Sequence, residues 1–146
     1  MADERIPRLL TIPARVRFLS VEPMLGPINF AAHFRASAQW RTLPNGDKTG
    51  PWYGLNQLIF GGESGPGARP CNVEWIRDGV QQCRAAGVKA FVKQLGAKPY
   101  FIAATAPSAG PMDLNLDDKK GGDMAEWPAD LRVREFPDFT TARVSV

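Results

Sequence analysis

The spacing of hydrophobic residues near the start of the chain predicts one helix and one strand. Ile6, Leu9 and Leu10 fall on one helical stripe, so residues 2–12 are predicted to form a short helix. The next apolar run, residues 16–22, partly alternates and is rich in β-forming side chains, which predicts a strand that ends before the next proline.

The hydrophobic pattern becomes less regular over residues 26–53 and then recovers. This stretch is interpreted as an insertion that contains a helix near residues 30–40 and a turn at the Pro-Asn-Gly-Asp segment of residues 44–47. The apolar run of residues 55–60, which two glycines follow, predicts a second and more buried strand.

The clearest helix signal follows residue 72. Asn72 is a suitable N-cap, and Gly87 suits a left-handed position at the C-terminus. Between them, apolar side chains recur on one face of the helix: Val73, Ile76, Val80 and Cys83. Residues 88–92 then predict a third strand, and a strand, helix and strand in this order favour a parallel pair with a right-handed crossover.

The last part of the chain is poor in regular patterns. Residues 105–146 are predicted to form a mostly irregular tail that packs on a core of residues 1–104. Four apolar side chains are expected to anchor this tail: Trp127, Leu131, Val133 and Phe136. With 146 residues and 44% hydrophobic content, we expect a single domain over residues 1–146. The predicted fold class is α/β, either a small partial barrel or an open, mostly parallel sheet of three to four strands with flanking helices.

Composition and charge exclude several classes of protein. The 18 basic and 15 acidic side chains give a net charge of +3, which is too small for a dedicated nucleic-acid coat but leaves room for a local basic patch. The chain shows no signal-peptide pattern and no apolar segment of the roughly 20 residues that span a bilayer, so no membrane association is expected. Two cysteines are too few for a disulfide framework, which indicates a reducing, cytoplasmic setting.

Charged side chains follow the predicted strands at the point where each strand ends. Glu22 follows the first strand, Glu63 the second and Lys93 the third, and Arg69 comes shortly after Glu63. Because ligands of parallel α/β sheets bind at the carboxyl ends of the strands, these four side chains are candidate ligand-binding residues. The alternative is that they leave a buried sheet for solvent and pair with one another.

The loop of residues 61–67 is a second candidate for ligand binding. Gly61, Gly62, Glu63 and Ser64 belong to it, and its glycines let backbone N–H groups approach an anion near the start of the following helix. The loop matches neither the phosphate-binding loop nor the dinucleotide fingerprint. The alternative is a tight turn between strand and helix.

No catalytic or metal site is predicted. Cys71 and Cys83 have no second cysteine pair, and His33 is the single histidine, so ligands for zinc or an iron–sulfur cluster are lacking and no cofactor is expected. Cys83 falls on the apolar face of its helix, which favours a core position.

Several short motifs occur in the order found in one known family. They are residues 2–7 (ADERIP), 17–23 (RFLSVEP), 25–27 (LGP), 61–65 (GGESG), 68–70 (ARP), 93–96 (KQLG), 120–123 (KGGD), 126–128 (EWP) and 130–137 (DLRVREFP). Together they resemble a phage-associated family of poorly defined function. That family is similar to radical S-adenosylmethionine barrels and carries a three-cysteine cluster motif in its N-terminal part.

The resemblance covers the C-terminal part of that family, and the cysteine-bearing half is absent from this chain. It implies that Glu22, Glu63, Arg69 and Lys93 line the ligand end of a barrel that lacks its cluster chemistry. A complete barrel needs about eight strands, so a few strands leave an open edge that the insertion, the tail or another chain must cover.

Two functional hypotheses follow. The first is a non-catalytic protein of phage or prophage type that binds a protein or nucleoprotein complex, for example a CRISPR-type host-defence complex that it inhibits. The second is a ligand-binding or enzymatic half-barrel that a separate cysteine-bearing chain completes. A homo-oligomer, a folded remnant without selected activity and direct nucleic-acid binding through Arg5, Arg8, Arg15 and Arg17 stay open as further alternatives.

Overall fold

A computed structural model gives the fold of most of the chain. It describes residues 2–12, 14, 16–38, 41–42, 48–49, 54–103, 105 and 107–138. Within helices and strands, only the backbone is described for residues 2–3, 35–38, 41–42 and 48–49. The predicted turn at residues 44–47 lies outside the described residues.

The described residues form a mixed arrangement of helices and short strands. The helices are α1 (Ala2–Leu10), α2 (Ala31–Ala38) and α3 (Val73–Ala86). The strands are β1 (Phe18–Val21), β2 (Arg41–Thr42), β3 (Lys48–Thr49), β4 (Gln57–Gly61), β5 (Cys71–Asn72), β6 (Lys89–Gln94), β7 (Pro99–Ile102) and β8 (Pro111–Asp113). Three single-turn 3-10 helices follow at Pro107–Ala109, Met124–Glu126 and Ala129–Leu131. The predicted α/β class is therefore confirmed.

The main sheet has three parallel strands in the order β1-β4-β6. Its register places Val21 beside Phe60, and Phe60 beside Val92. The predicted parallel pair on either side of the helix is confirmed, whereas the handedness of its crossover stays a prediction. Within the described residues the sheet is open and does not close into a barrel.

Helix α3 covers one face of this sheet. The Asn72 side chain accepts a hydrogen bond from the Glu74 N–H at 3.0 Å, and Gly87 at the other end has a φ of 68°, as the two capping positions predict. Gly79 allows the close approach, because a Cβ at that position would lie 2.6 Å from the Phe60 ring. All four predicted core residues of the helix are buried: Val73, Ile76, Val80 and Cys83.

The sheet face beneath α3 forms the core. Its central side chains, Leu58, Phe60, Ala90 and Val92, are fully buried. Full burial of a leucine, phenylalanine or valine side chain typically contributes about 1.5–3 kcal/mol, so this layer stabilises the parallel sheet.

A second three-stranded sheet has the order β5-β7-β8. Strand β5 pairs with β7 in parallel, and β7 pairs with β8 in the antiparallel direction. Strand β8 falls within the tail that was predicted to be mostly irregular, and all three of its residues are exposed. Strands β2 and β3 form a separate antiparallel pair within the predicted insertion.

The tail packs along the outer edge of β6. The Val92 N–H donates to the Val133 carbonyl at 2.8 Å, and the Glu135 N–H donates to the Ala90 carbonyl at 2.9 Å. Three of the four predicted anchors are buried, namely Trp127, Leu131 and Val133. The fourth, Phe136, is 65% exposed, and its ring packs edge-on against Phe91 of β6.

None of the helices found in the described ranges is both long enough and apolar enough to cross a membrane.

Candidate functional site

Glu22 and Lys93 meet at the carboxyl edge of the main sheet. Glu22 directly follows β1 and Lys93 lies near the end of β6, so β4 separates the two strands. The Lys93 Nζ lies 3.4 Å from both carboxylate oxygens of Glu22. The Ser20 hydroxyl donates to the Glu22 Oε2 at 2.9 Å, which fixes the carboxylate on the side of the sheet away from α3.

Gly61 on β4 makes room for this carboxylate. A Cβ at Gly61 would lie 2.4 Å from the Glu22 Oε1, so any larger residue would displace the carboxylate. That oxygen is inaccessible to solvent and accepts no hydrogen bond from the described residues, although the Lys93 ammonium lies beside it. The Glu22 side chain is 17% exposed and the Lys93 side chain 55% exposed, so the lysine screens a carboxylate with unused acceptor capacity.

Glu63 and Arg69 form a separate pair in the loop after β4. The Arg69 Nε donates to the Glu63 Oε2 at 2.6 Å, and the Arg69 backbone N–H donates to the same oxygen at 3.1 Å. The Arg69 side-chain hydrogen bond lowers the pKa of Glu63, and the reciprocal bond raises the pKa of Arg69. The four charged residues predicted to converge thus form two pairs, and among the described residues no hydrogen bond or ion pair joins one pair to the other.

The glycines of the loop have structural roles in this fold. A Cβ at Gly62 would lie 2.1 Å from the Leu95 carbonyl oxygen, so the segments that directly follow β4 and β6 are in backbone contact. Gly96 and Gly121 make a similarly close approach, because a Cβ at Gly121 would lie 2.4 Å from the Gly96 carbonyl oxygen. Three motifs that lie far apart in the sequence therefore meet in one place, which we call the glycine crossing (Gly62, Gly96 and Gly121).

The predicted role of this loop in anion binding has limited geometric support. The N–H of Arg69 already binds the loop's own carboxylate, Glu63. Helix α3 begins at Val73, after β5, and its N-terminus is capped by Asn72. Ser64 is exposed at the surface of the loop. The loop leads into β5 and not directly into α3, so it is not a tight turn between strand and helix, and its role in anion binding stays a prediction.

Sequence reasoning missed an ordered loop at the same end of the molecule. The Asp118 carboxylate accepts hydrogen bonds from the N–H groups of Lys120, Gly122 and Asp123, and these bonds lower its pKa. The Trp127 indole N–H donates to the Gly121 carbonyl at 3.0 Å, which fixes the loop against the glycine crossing. An aspartate shortly before two glycines is a recognised turn signal and could have indicated this loop.

Side chains on the sheet face opposite α3 remain accessible. Alternation along the strands places Phe18, Ser20, Glu22, Ile59, Lys89, Phe91 and Lys93 on this side, which we call the open face. Phe18 is 54% exposed. At the amino end the face is covered, because the Gln57 side chain donates to the Glu135 carbonyl at 2.7 Å and is 7% exposed.

Comparison with known protein families identifies the group to which the chain is related. A family model described as protein of unknown function (DUF5131) matches residues 1–122. The chain belongs to the DUF5131 family. Neither the curated proteins nor the solved structures contain a match. The family match includes the Glu22, Glu63 and Lys93 strand ends and all three residues of the glycine crossing, and it stops before Trp127.

The two cysteines of the DUF5131 chain are buried and unreactive. Burial raises the pKa of Cys71 to about 11. Burial also raises the pKa of Cys83 to about 12, with a smaller contribution from the charge of Glu135. Both thiols are protonated near neutral pH and are poor nucleophiles. In the part of the chain that the structure describes, no group of three or more His, Cys, Asp or Glu side chains is placed to hold a metal ion.

Proposed function

We propose that this DUF5131 chain is a non-catalytic binding protein that docks a protein partner along β1. The observation that supports the proposal is the exposure of this edge strand. Phe18 is 54% exposed. Ile12, which precedes the strand in the sequence, is 53% exposed, and Leu25, which follows it, is 48% exposed.

Parallel sheets are normally buried on both faces and rarely present a bare edge. The β6 edge follows this rule, because residues 133–135 of the tail lie along it. On the outer side of β1, the described residues supply no pairing strand. A bare edge with exposed apolar side chains is a typical site for another polypeptide.

The chemistry of β1 fits a partner that contributes an extended segment. Backbone groups at a sheet edge can pair with an added strand, and apolar pockets for alternate side chains then give specificity. A partner strand with an apolar residue opposite Phe18 would cover that ring and extend the open face. Host-defence complexes are the partner class that the resemblance to a phage-associated family suggests.

The proposal is tested with Phe18→Asp and a matched control. Ile102 on β7 is 39% exposed and lies in the other sheet, so Ile102→Asp introduces the same charge on a different surface. Light-scattering chromatography would be run on the wild type and both variants, alone and after mixing with fractionated host lysate. Captured proteins would be identified by mass spectrometry.

The expected result is one defined complex that forms with the wild type and with Ile102→Asp and is lost with Phe18→Asp. Unchanged complex formation by Phe18→Asp would contradict docking along β1. A wild-type chain that stays a lone monomer in every fraction would contradict the proposal as a whole.

A second candidate function has its own supporting observation. The Glu22 carboxylate and the Lys93 ammonium lie at the carboxyl end of parallel strands on the open face, which is where α/β proteins bind ligands. This placement favours a ligand-binding or enzymatic half-barrel that a separate cysteine-bearing chain completes. Co-expression with the product of a neighbouring gene that carries the three-cysteine motif tests it. The candidate requires a complex in which Glu22→Gln abolishes ligand binding while leaving assembly intact.

A further inference from the structure

We propose that β6 and the tail form a binding surface for single-stranded nucleic acid. The surface consists of Lys89, Phe91, Lys93, Arg134 and Phe136, and we call it the aromatic–basic patch. It lies at the β6 edge of the open face, whereas Phe18 lies on β1 at the other edge of the same sheet, and the proposal does not depend on partner docking at Phe18.

Strand β6 places three of these side chains on one side. Ala90 and Val92 point into the core and are fully buried, so Lys89, Phe91 and Lys93 share the open face. The two lysines are exposed and the phenylalanine between them is partly exposed. This alternation gives a cation, a ring and a cation along one strand.

The tail adds the other two side chains to the same surface. Arg134 is the bridge partner of Phe91, so both residues point to the same side of the sheet. The Arg134 guanidinium carbon lies 5.5 Å from the centroid of the Phe91 ring. The Phe136 ring packs edge-on against the Phe91 ring at 5.3 Å between centroids, and the side chain of Phe136 is 65% exposed.

The patch carries an excess of positive charge. Within the described residues, no carboxylate pairs with Lys89 or Arg134, and the hydrogen bonds of Arg134 go to the backbone carbonyls of β6. Lys93 is paired with Glu22 at the distant end of the strand. Of the acids in this part of the tail, Glu135 accepts a hydrogen bond from the Ala90 N–H at 3.0 Å, and Asp138 lines a pocket together with Lys89.

Exposed rings interleaved with unpaired cations fit a polyanion that also offers flat aromatic faces. Single-stranded nucleic acid has both properties, because its bases can stack on protein side chains while its phosphates bind lysine and arginine. Duplex DNA hides its base faces in the stack. An acidic polypeptide supplies the charge without the flat faces, so the contribution of Phe136 separates these ligands.

The test measures binding of fluorescently labelled single strands by anisotropy. The probes are oligothymidylate and oligouridylate of about 12 nucleotides, a duplex of the same length and oligoglutamate as an acidic polypeptide. The variants are Phe136→Ala and Arg134→Glu. The matched controls are Ile102→Ala, which removes another exposed apolar side chain, and Lys119→Glu, which reverses another exposed charge.

We expect both single strands to bind more tightly than the duplex and than oligoglutamate. Phe136→Ala should weaken binding by about 5- to 150-fold, which corresponds to the loss of one stacked base. Because two cations without a carboxylate partner, Lys89 and Arg134, contact the phosphates, raising salt from about 50 mM to about 200 mM should weaken binding by about 7-fold. Comparison of the two oligonucleotides shows whether DNA or RNA is preferred.

The proposal is overturned by any of three results. The first is the absence of salt-dependent binding to either single strand. The second is a general attraction to negative charge, which is shown either by tighter binding to oligoglutamate or by single-strand binding that Phe136→Ala leaves unchanged. The third is an equal loss of binding in Lys119→Glu and Arg134→Glu.

Circular dichroism of each variant ensures that a loss of binding is not a loss of fold, and Phe18→Asp should bind the oligonucleotides as the wild type does.

Discussion

The two edges of the parallel sheet differ in how far the rest of the chain covers them. The β6 edge is covered by the tail, which contributes the buried side chains of Trp127, Leu131 and Val133. The β1 edge carries Phe18 at 54% exposure, and no strand among the described residues pairs with its outer side. The covered edge contributes to stability, whereas the bare edge is the proposed docking site. Substitutions at the two edges should therefore separate effects on stability from effects on binding.

The largest loss of folding stability is expected at the covered β6 edge. Trp127→Ala removes a side chain that is 1% exposed and the hydrogen bond from its indole to Gly121. A loss of about 3–5 kcal/mol in the free energy of unfolding is expected, because a large cavity opens in the core. Urea denaturation followed by tryptophan fluorescence and circular dichroism measures it. A loss below about 1 kcal/mol would mean that the tail is not part of the cooperative unit.

The glycine crossing provides the next test. Gly62→Ala places a Cβ 2.1 Å from the carbonyl oxygen of Leu95, the residue after β6, so the two segments must move apart, at a cost of about 1–3 kcal/mol. Gly26→Ala is the matched control, since nothing lies within 4 Å of a Cβ there. Thermal melts should show a lower melting temperature for Gly62→Ala than for Gly26→Ala. Equal melting temperatures would argue against close backbone contact at Gly62.

The ion pair between the tail and α3 predicts a pH dependence. Asp130 binds Arg77, whose hydrogen bond lowers the pKa of the aspartate. A carboxylate with a lowered pKa stabilises the folded state above its unfolded pKa of about 3.9, and this contribution is lost as pH falls through the folded pKa. Asp130→Asn should cost less than about 1 kcal/mol at neutral pH, because the pair is partly exposed.

This pH dependence is checked by urea denaturation at several values between neutral and acidic pH. The stability difference between wild type and Asp130→Asn should shrink as the pH falls below about 4. A difference that stays constant over that range would show that the ion pair does not anchor the tail.

The smallest effect on stability is expected at the bare edge. Phe18→Asp changes an exposed side chain, so the free energy of unfolding should change by no more than about 0.5 kcal/mol. The urea midpoint measures the change, and Leu25→Asp, at 48% exposure, gives a second comparison. A cost of several kcal/mol would show that the chain itself covers the β1 edge, which would remove the physical reason for a partner.

Local features of the fold were predictable where neighbouring residues decide them. Asn72 and Gly87 mark the ends of α3 because capping depends on adjacent backbone groups, and its buried face follows from helical periodicity. The strands β1, β4 and β6 were found within a few residues of their ends. Strands β7 and β8 were missed as a pair because β8 has only three residues and all are exposed.

The candidate site was predicted less completely. The sequence placed Glu22, Glu63 and Lys93 at strand ends, and the parallel order of the strands brought Glu22 and Lys93 together. The loop after β4 instead turns Glu63 back onto Arg69. Backbone conformation within the loop decides this choice, through positive φ values at Gly65 and Gly67 that the sequence permits without requiring.

The sequence by itself determined the α/β class, the capped helix, the parallel strand pair and the burial of most tail anchors, because these depend on periodicity and on neighbouring residues. Only the tertiary structure decided that the Glu22 carboxylate lies beside both Lys93 and Gly61. It also decided that the backbones at Gly62, Gly96 and Gly121 approach one another closely. The partners in these contacts lie far apart along the chain. Their meeting depends on how strands, loops and tail pack together, and short-range sequence patterns carry little information about that packing.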